Sequence, residues 1–353
     1  MDPDFWRRRR VLITGHTGFK GAWLSLWLQS LGADVTGLAP GPPTRPSLYE
    51  VAEVGAGMRE SVLDVRDAEG VLAAVREHAP EIVMHLAAQP MVRRSLQDPA
   101  MTYEVNVMGT VNVLEAVRRL GGQVRAVLVV TSDKCYENPG LPSKRFVEGD
   151  PLGGDDPYSS SKACAELVAA AYRSSFFAGD GSPALATARA GNVIGGGDWG
   201  EDRLLPDAIR AVETGEPLRV RNPQAVRPWQ HVLNPLSGYL RLAEDLWHGR
   251  SAGAWNFGPS EEDARPVRWI VERLDALWDG ALGWEVDSGP NPAEAAHLAL
   301  DSTAAGRHLG WRPALSLGQA LELLVDWHRA HRRGEDMRRL SLDQIARFGQ
   351  TLS

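Results

Sequence analysis

The first 190 residues alternate short apolar runs with amphipathic stretches, and this alternation constrains the fold more than any other feature of the chain. The runs are "RVLITG", "DVTGLA", "ESVLD", "EIVMHLA", "RAVLVVTS" and "ALATARAGNV"; segments of helical periodicity lie between them at 20–31, 68–78, 99–120 and 157–175. Strand, helix, strand in repeated order predicts an α/β protein with a doubly wound parallel sheet of Rossmann type. Such sheets bind ligands outside the carboxyl ends of their strands, so the residues that follow each run are the first functional candidates. Past about residue 192 the pattern loosens into Gly-rich turns, shorter strands ("PLRVRN", "AWNFGP") and helices at 235–247, 267–278 and 317–332. The expected organisation is a dinucleotide-binding domain over 1–190 with a return segment near 228–258. A smaller mixed α/β substrate domain follows from 191–227 and 259–340, with a tail at 341–353.

Composition narrows the ligand. The 353 residues carry a formal net charge of -7, which in bulk repels nucleic acid and anionic membranes, so an anionic ligand must be held by local Arg and Lys. No apolar run approaches the roughly 18 residues of a spanning helix. "MDPDFWRRRR" passes directly into a strand without an apolar segment or cleavage site, so no signal peptide is expected. The two cysteines, Cys135 and Cys164, form no CxxC pair, which favours a reducing, cytoplasmic setting and no zinc site. His328 and His331 in "WHRAH" share a helical face but have no third ligand nearby in sequence, so no metal is expected.

In "TGHTGFKG", Gly15, Gly18 and Gly21 follow a strand and open a helix, the context a phosphate-binding loop requires. The nucleoside-triphosphate pattern GxxxxGK[ST] fails, because Lys20 follows Phe19 and no hydroxyl follows the lysine. The loop is therefore expected to hold a dinucleotide pyrophosphate, with Gly21 allowing close helix–strand packing. His16 and Lys20 add side chains able to grip phosphate; Lys20 is equally open to a ribose phosphate or to solvent. Asp64, beside Val65 at the end of the third run, can bond an adenine amino group or simply cap the next helix, as Asp67 also can. The acid that commonly holds the adenosine ribose after the second strand is missing from "GLAPGPPT", which leaves NAD and NADP both open.

Two clusters carry chemistry. In "DPYSSSKACAELV", Tyr158 and Lys162 stand four residues apart and share a helical face. A phenol of ordinary pKa ~10 is a poor base, but a nearby ammonium favours phenolate, which can take a proton from a sugar hydroxyl as hydride leaves the same carbon. Such a pair arises by chance on many helices; after a parallel sheet and a dinucleotide loop the catalytic reading gains. "TSDKCY" follows the fifth strand: Ser132 can bond a reacting oxygen, and Asp133 and Lys134 can both move protons. A simple alcohol dehydrogenase has no use for that second pair. An elimination does, since one proton leaves carbon while another arrives on the departing hydroxyl; a plain turn with an exposed ion pair is the competing reading. Farther on, Asn192, Arg203 with its neighbour Leu204, Arg219, Arg221 and Arg227 suit a nucleotide diphosphate, because arginine matches phosphate oxygens with a planar fork.

Together "TGHTGFKG", "HLAAQP", "NVMGT", "TSDKCY", "DPYSSSK", "AGNVIGGGDW", "RPWQHVLNPLSGY", "NFGP" and "DSTAAGRHLGW" resemble the extended short-chain dehydrogenase/reductases over about residues 6–337. Within them the chain resembles the sugar-nucleotide 4,6-dehydratases, and the Lys of Asp133-Lys134, where most of these have Glu, points to the branch acting on CDP-glucose; His16 and Lys20 match that branch too. The resemblance implies transient C4 oxidation, loss of water across C5 and C6, and hydride return to C6 on bound NAD. It assigns Tyr158 to the C4 hydroxyl, Asp133 to the C6 hydroxyl and Lys134 to C5, as a neutral base or as a charge that stabilises the enolate. Asn106 would support the Tyr158–Lys162 proton path. Phe19, Leu86, Ala87 and Ala88 would line the cofactor cleft; Gln89, Asn192 and Arg227 would face the substrate. Gly41 stands where relatives carry Asp. A homodimer or homotetramer is implied, pairing through 99–120 and 157–175. The alternatives are a dehydratase for another nucleotide such as dTDP-glucose, a 4-epimerase, which has no need of Asp133 and Lys134, or a non-catalytic dinucleotide sensor, which predicts a damaged catalytic set.

Overall fold

In a computed structural model of the chain, residues 2–141, 144–287, 289 and 297–352 are described; 288 and 290–296, within the expected second region, lie outside them. After a short helix α1 (Pro3–Trp6), six parallel strands follow: β1 (Arg10–Thr14), β2 (Asp34–Ala39), β3 (Arg59–Val62), β4 (Ile82–His85), β5 (Ala126–Val130) and β6 (Ala184–Arg189). They form one sheet with the strand Gly253–Asn256 at its edge, in the order Gly253–Asn256, β6, β5, β4, β1, β2, β3. The order reverses between β1 and β4, and a crevice opens at the carboxyl ends there. The three central strands read as continuous apolar runs because helices cover both faces.

One face is packed by α2 (Phe19–Ser30) and the helix Leu233–Trp247, the other by helices Ala68–His78, Gly109–Leu120 and Pro157–Ser175. Helix α2 is apolar all round, from Ala22 to Leu28, and so must be covered on its far side. The segment expected as a tail does this. It belongs to the helix Met337–Gln350, capped by Asp336, which sets Phe348 edge-on to Trp27 with ring centroids 5.5 Å apart. Arg338 of the same helix bonds Gln29 at 2.8 Å.

The stretch expected as one helix over 99–120 contains a π turn, Glu104–Met108, between helices Pro99–Tyr103 and Gly109–Leu120. Such turns insert an extra residue into the helical ladder and recur at functional sites; here the turn carries Asn106. A second core joins helices Leu204–Thr214, Val267–Leu277 and Leu317–Arg332 beyond the crevice. Trp6, Trp23, Trp27, Trp311 and Trp327 are fully buried in the first core. Among the described residues no helix is long and apolar enough to cross a membrane.

Candidate active site

The glycine loop fits a dinucleotide by steric exclusion. Gly15 has φ +77°, and a Cβ there would lie 2.7 Å from the Ala87 nitrogen; a Cβ on Gly21 would lie 2.1 Å from the Gly15 carbonyl oxygen. Only glycine permits that approach. Gly18 opens α2 without a side-chain cap, so the first amides of the helix are available to an anion. Thr17 Oγ1 donates to the Gly41 carbonyl at 2.7 Å, tying the loop to the end of β2, while Leu86, Ala87 and Ala88 follow β4 on the other side, with the Ala87 amide donating to Thr14 Oγ1.

The two charged side chains of the loop make different contacts. His16 is buried, with Nε2 2.7 Å from Glu60 Oε1. Its ring fills the space where a Cβ on Gly37 would sit, 2.4 Å from Cγ. Burial lowers its pKa and Glu60 opposes that shift. The Lys20 ammonium runs to the reacting end of the crevice, 5.8 Å from the Tyr239 ring centroid. Burial pulls its pKa down to about 8 against the pull of Asp133, with Arg203 adding to the fall. Lys20 keeps partial exposure, so none of the three openings left by the sequence is closed. Phe19 packs against the first core.

β5 delivers the second cluster. Ser132 caps a single turn, Asp133–Cys135, its Oγ accepting from the Lys134 amide and donating to Asp133 Oδ1 at 3.0 Å. Asp133 is 2% exposed. Burial raises its pKa, opposed by Lys134, Ser132, Lys20 and Arg227. An exposed ion pair in a turn is thereby ruled out for Asp133. The Lys134 ammonium lies 5.9 Å from the centre of the Tyr158 ring.

Tyr158 stands in the first turn of Pro157–Ser175, whose N-terminus is fixed by a capping box of Asp156 and Ser159. Its amide also donates to Ser95 Oγ at 3.2 Å. The sequence led us to expect an ammonium drawing the phenol toward phenolate. Instead burial pushes Tyr158 up to about 12, with the Ser132 hydroxyl pulling it back. The Lys162 ammonium donates to the Val130 carbonyl at 3.3 Å, and burial lowers its pKa to about 8. Desolvation is the largest cause of both shifts.

Asn106 reaches the Gln89 backbone at both ends, accepting from the amide at 2.8 Å and donating to the carbonyl at 3.1 Å, and it also donates to Ser161 Oγ at 2.8 Å. It braces the loop after β4 against the catalytic helix rather than touching Lys162. Gln89, expected to face substrate, spends its amide on Met91 and Thr102. Asp64 is held below the ordinary carboxylate range by Arg66, which clasps it. Val65 packs under Gly109, whose added Cβ would lie 2.7 Å from Cγ2.

The arginines divide. Arg203 pairs with Asp198 at 3.0 Å and lies near enough to Tyr158 to feel its charge; Leu204 begins the helix behind it. Arg227 is buried and reaches Asp133 electrostatically. Arg221 pairs with Asp202 at 3.1 Å, as does Arg93. Arg219 projects from the outer face of the strand Leu218–Val220, its side chain 75% exposed and paired with Glu285. The Asn192 carbonyl accepts from the Gln230 amide.

These features match a known family. The model of the NAD dependent epimerase/dehydratase family covers residues 11–258. The chain belongs to that family. It is 47% identical to the CDP-glucose 4,6-dehydratase of Salmonella typhimurium, over 99% of this chain and 98% of that protein. It is 28% identical to the dTDP-glucose 4,6-dehydratase of Xanthomonas campestris pv. campestris, over 90% and 92%. Among solved structures it is similar to the UDP-glucose 4-epimerase of Thermus thermophilus in complex with NAD, at 27% identity and TM-score 0.78, covering 91% of this chain and 99% of that one.

This member of the epimerase/dehydratase family also has supporting residues that sequence reasoning missed. Glu166, one turn beyond Lys162, accepts from Thr131 Oγ1, from Thr187 Oγ1 at 2.7 Å and from Arg189 at 2.7 Å, with both charges 3% exposed. Arg189 in turn donates to the Tyr136 hydroxyl at 2.7 Å. The network clamps both ends of the Ser132–Lys134 turn. Its signal was present in sequence as Tyr, Lys and Glu at successive four-residue steps, and as a lone charge closing "ALATAR". His85, bonded through both ring nitrogens to Thr14 and Thr110, left no such signal.

Proposed function

We propose that this protein is a nucleotide-sugar 4,6-dehydratase that converts CDP-glucose to CDP-4-keto-6-deoxyglucose with NAD as cofactor. The observation that carries the reading is a buried carboxyl with raised pKa, Asp133, adjoining the Lys134 amine against Tyr158. A proton shuttle at C4 needs only Tyr158; removal of water needs an acid for the departing oxygen and a group facing the carbon that loses its proton. The base of the substrate follows the Salmonella relative, at 47% identity over 99% of the chain.

NAD, when bound, supplies the reversible removal of two electrons and a hydrogen from C4 and their return at C6. Tyr158, once its own phenolic proton has passed on to neutral Lys162 or to solvent, takes the C4 hydroxyl proton, with Ser132 bonded to the same oxygen. The ketone acidifies C5–H. Lys134 faces C5, as base when neutral or as a charge beside the enolate, and protonated Asp133 gives its proton to the C6 oxygen. Lys162 holds the end of β5 and, with a pKa of about 8, exchanges protons near neutrality. Asn192, Arg203 and Arg227 hold the diphosphate. We place the enzyme in the cytoplasm as a homo-oligomer paired through helices that carry the exposed Met108 and Leu167.

The test is incubation with CDP-glucose in heavy water, with NAD or NADP, followed by mass spectrometry. A product that has lost water and gained deuterium, favoured by NAD, is expected. Intact substrate from folded protein with both cofactors overturns the reading.

A further inference from the structure

Two polar atoms in the site have no partner among the described residues, although both are fully buried: the hydroxyl of Tyr239 and Oδ2 of Asp133. A buried donor or acceptor left without a hydrogen bond is destabilising, and an orphaned polar atom in a site calls for an explanation such as a bound ligand atom or water. Tyr239 is 0% exposed and stands on the inward face of Leu233–Trp247, the helix that packs under β5 and β6. It is near enough for the charges of Asp133 and Tyr158 to act on its hydroxyl. The Lys20 ammonium lies over the Tyr239 ring, 5.8 Å from its centroid, and its charge also acts on Asp133. Opposite Asp133 stands Gly191, where a Cβ would come within 2.7 Å of Oδ2 and 2.4 Å of Pro228. Gly191 and the Pro228 ring thus pack close against that side of Asp133, with no room for a side chain at position 191.

We propose that Tyr239 is a further residue of the reacting site, its hydroxyl and Asp133 Oδ2 together holding one oxygen atom. That atom is the departing C6 oxygen of the sugar, or a water when no sugar is bound. This rests on the dehydratase reading for the identity of the oxygen, but not for the pairing of the two side chains. In the elimination the C5–H electron pair forms the C5–C6 double bond, the C6–O bond breaks with its electrons going to oxygen, and Asp133 delivers its proton there. Tyr239 keeps its own proton and donates a hydrogen bond to the same oxygen, strengthening as charge develops. A phenol kept neutral by burial is suited to that role. The other charged groups about Asp133 are Lys134 on its own turn, Lys20 from the glycine loop and Arg227 from the strand Val226–Pro228.

The test uses Tyr239→Phe, which removes one oxygen and leaves the packing. Protein carrying carboxyl-labelled aspartate is titrated by carbon NMR, the Asp133 signal being assigned by its loss in Asp133→Asn. With the donor gone, the Asp133 carboxyl is expected to titrate about one unit higher. With CDP-glucose, elimination is expected to slow about 10–100-fold while the first reduction of NAD keeps its rate and KM its value. An unmoved Asp133 titration overturns the inference whatever the activity. A shifted titration together with equal slowing of both steps overturns the role in elimination and leaves the pairing. If wild-type enzyme leaves CDP-glucose intact while the titration shifts, it is the dehydratase reading that fails and the Tyr239–Asp133 pairing that stands.

Discussion

On the sheet side of the crevice, Ser132, Asp133, Tyr158 and Lys162 have almost no exposed surface, and each is fixed by the end of a strand or the first turns of a helix. On the other side, Arg203, Arg219 and Arg221 are partly to largely exposed and paired with carboxylates that belong to the same region. The two sides use charge differently. Burial shifts proton affinity: Asp133 upward, Lys162 and Lys20 down to about 8. Exposed arginines keep their charge, and water screens what they contribute. The sheet side is therefore suited to moving protons and the arginine side to holding a ligand that already carries charge.

The sharpest break is at Tyr158. Tyr158→Phe removes the proton acceptor at C4 and is expected to lower turnover by about 10²–10⁴-fold, with no reduced cofactor appearing by absorbance. Wild-type turnover in that variant would remove the tyrosine from the mechanism. Next in size is the buried clamp. Glu166→Gln leaves the Arg189 charge unpaired and is expected to cost about 3–5 kcal/mol in urea unfolding; a loss below ~1 kcal/mol would mean that the clamp is not what holds the turn.

Acid sharpens the contrast further. Burial holds His85, His231 and His328 neutral, each at about 3 against an ordinary 6.5. The unfolded chain takes up these protons below pH 6.5 and the folded one not until near 3. Stability is thus complete above 6.5 and falls through that window, by up to ~1.4 kcal/mol per pH unit for each histidine. Unfolding midpoints measured from pH 7 to 4 would follow that slope; a flat profile would contradict it. The smallest effect is expected at the most exposed of the three paired arginines, Arg219. Arg219→Ala should leave KM for the nucleotide sugar within about twofold, whereas Arg227→Ala should raise it about tenfold or more, in keeping with the cost of losing a buried charged partner. Equal effects would erase the distinction between exposed and buried arginines.

The regular half of the molecule was legible because its signals are local. β-branched runs, helical periodicity and the glycine spacing state which backbone forms and where its glycines must stand, and Tyr158 and Lys162 share a face by helix geometry alone. The site was less legible wherever side-chain direction mattered. His16 and Lys20 read alike in sequence as side chains able to grip phosphate, whereas in the fold His16 bonds Glu60 under β2 and the Lys20 ammonium lies over the Tyr239 ring. Gln89 read as a substrate contact, and its side-chain amide also ties Met91 of its own loop to Thr102 of the helix Pro99–Tyr103.

From the sequence alone follow the parallel sheet and the glycine loop at its first strand, and the proposal of Ser132, Asp133, Lys134, Tyr158 and Lys162 as the reacting set, because each rests on residues close along the chain. Only the tertiary structure decided that residues 337–350 cover α2, that burial raises the Tyr158 pKa, and that the Tyr239 hydroxyl is buried without a partner among the described residues. Desolvation and side-chain direction are set by elements that meet only on folding, and no local pattern encodes them.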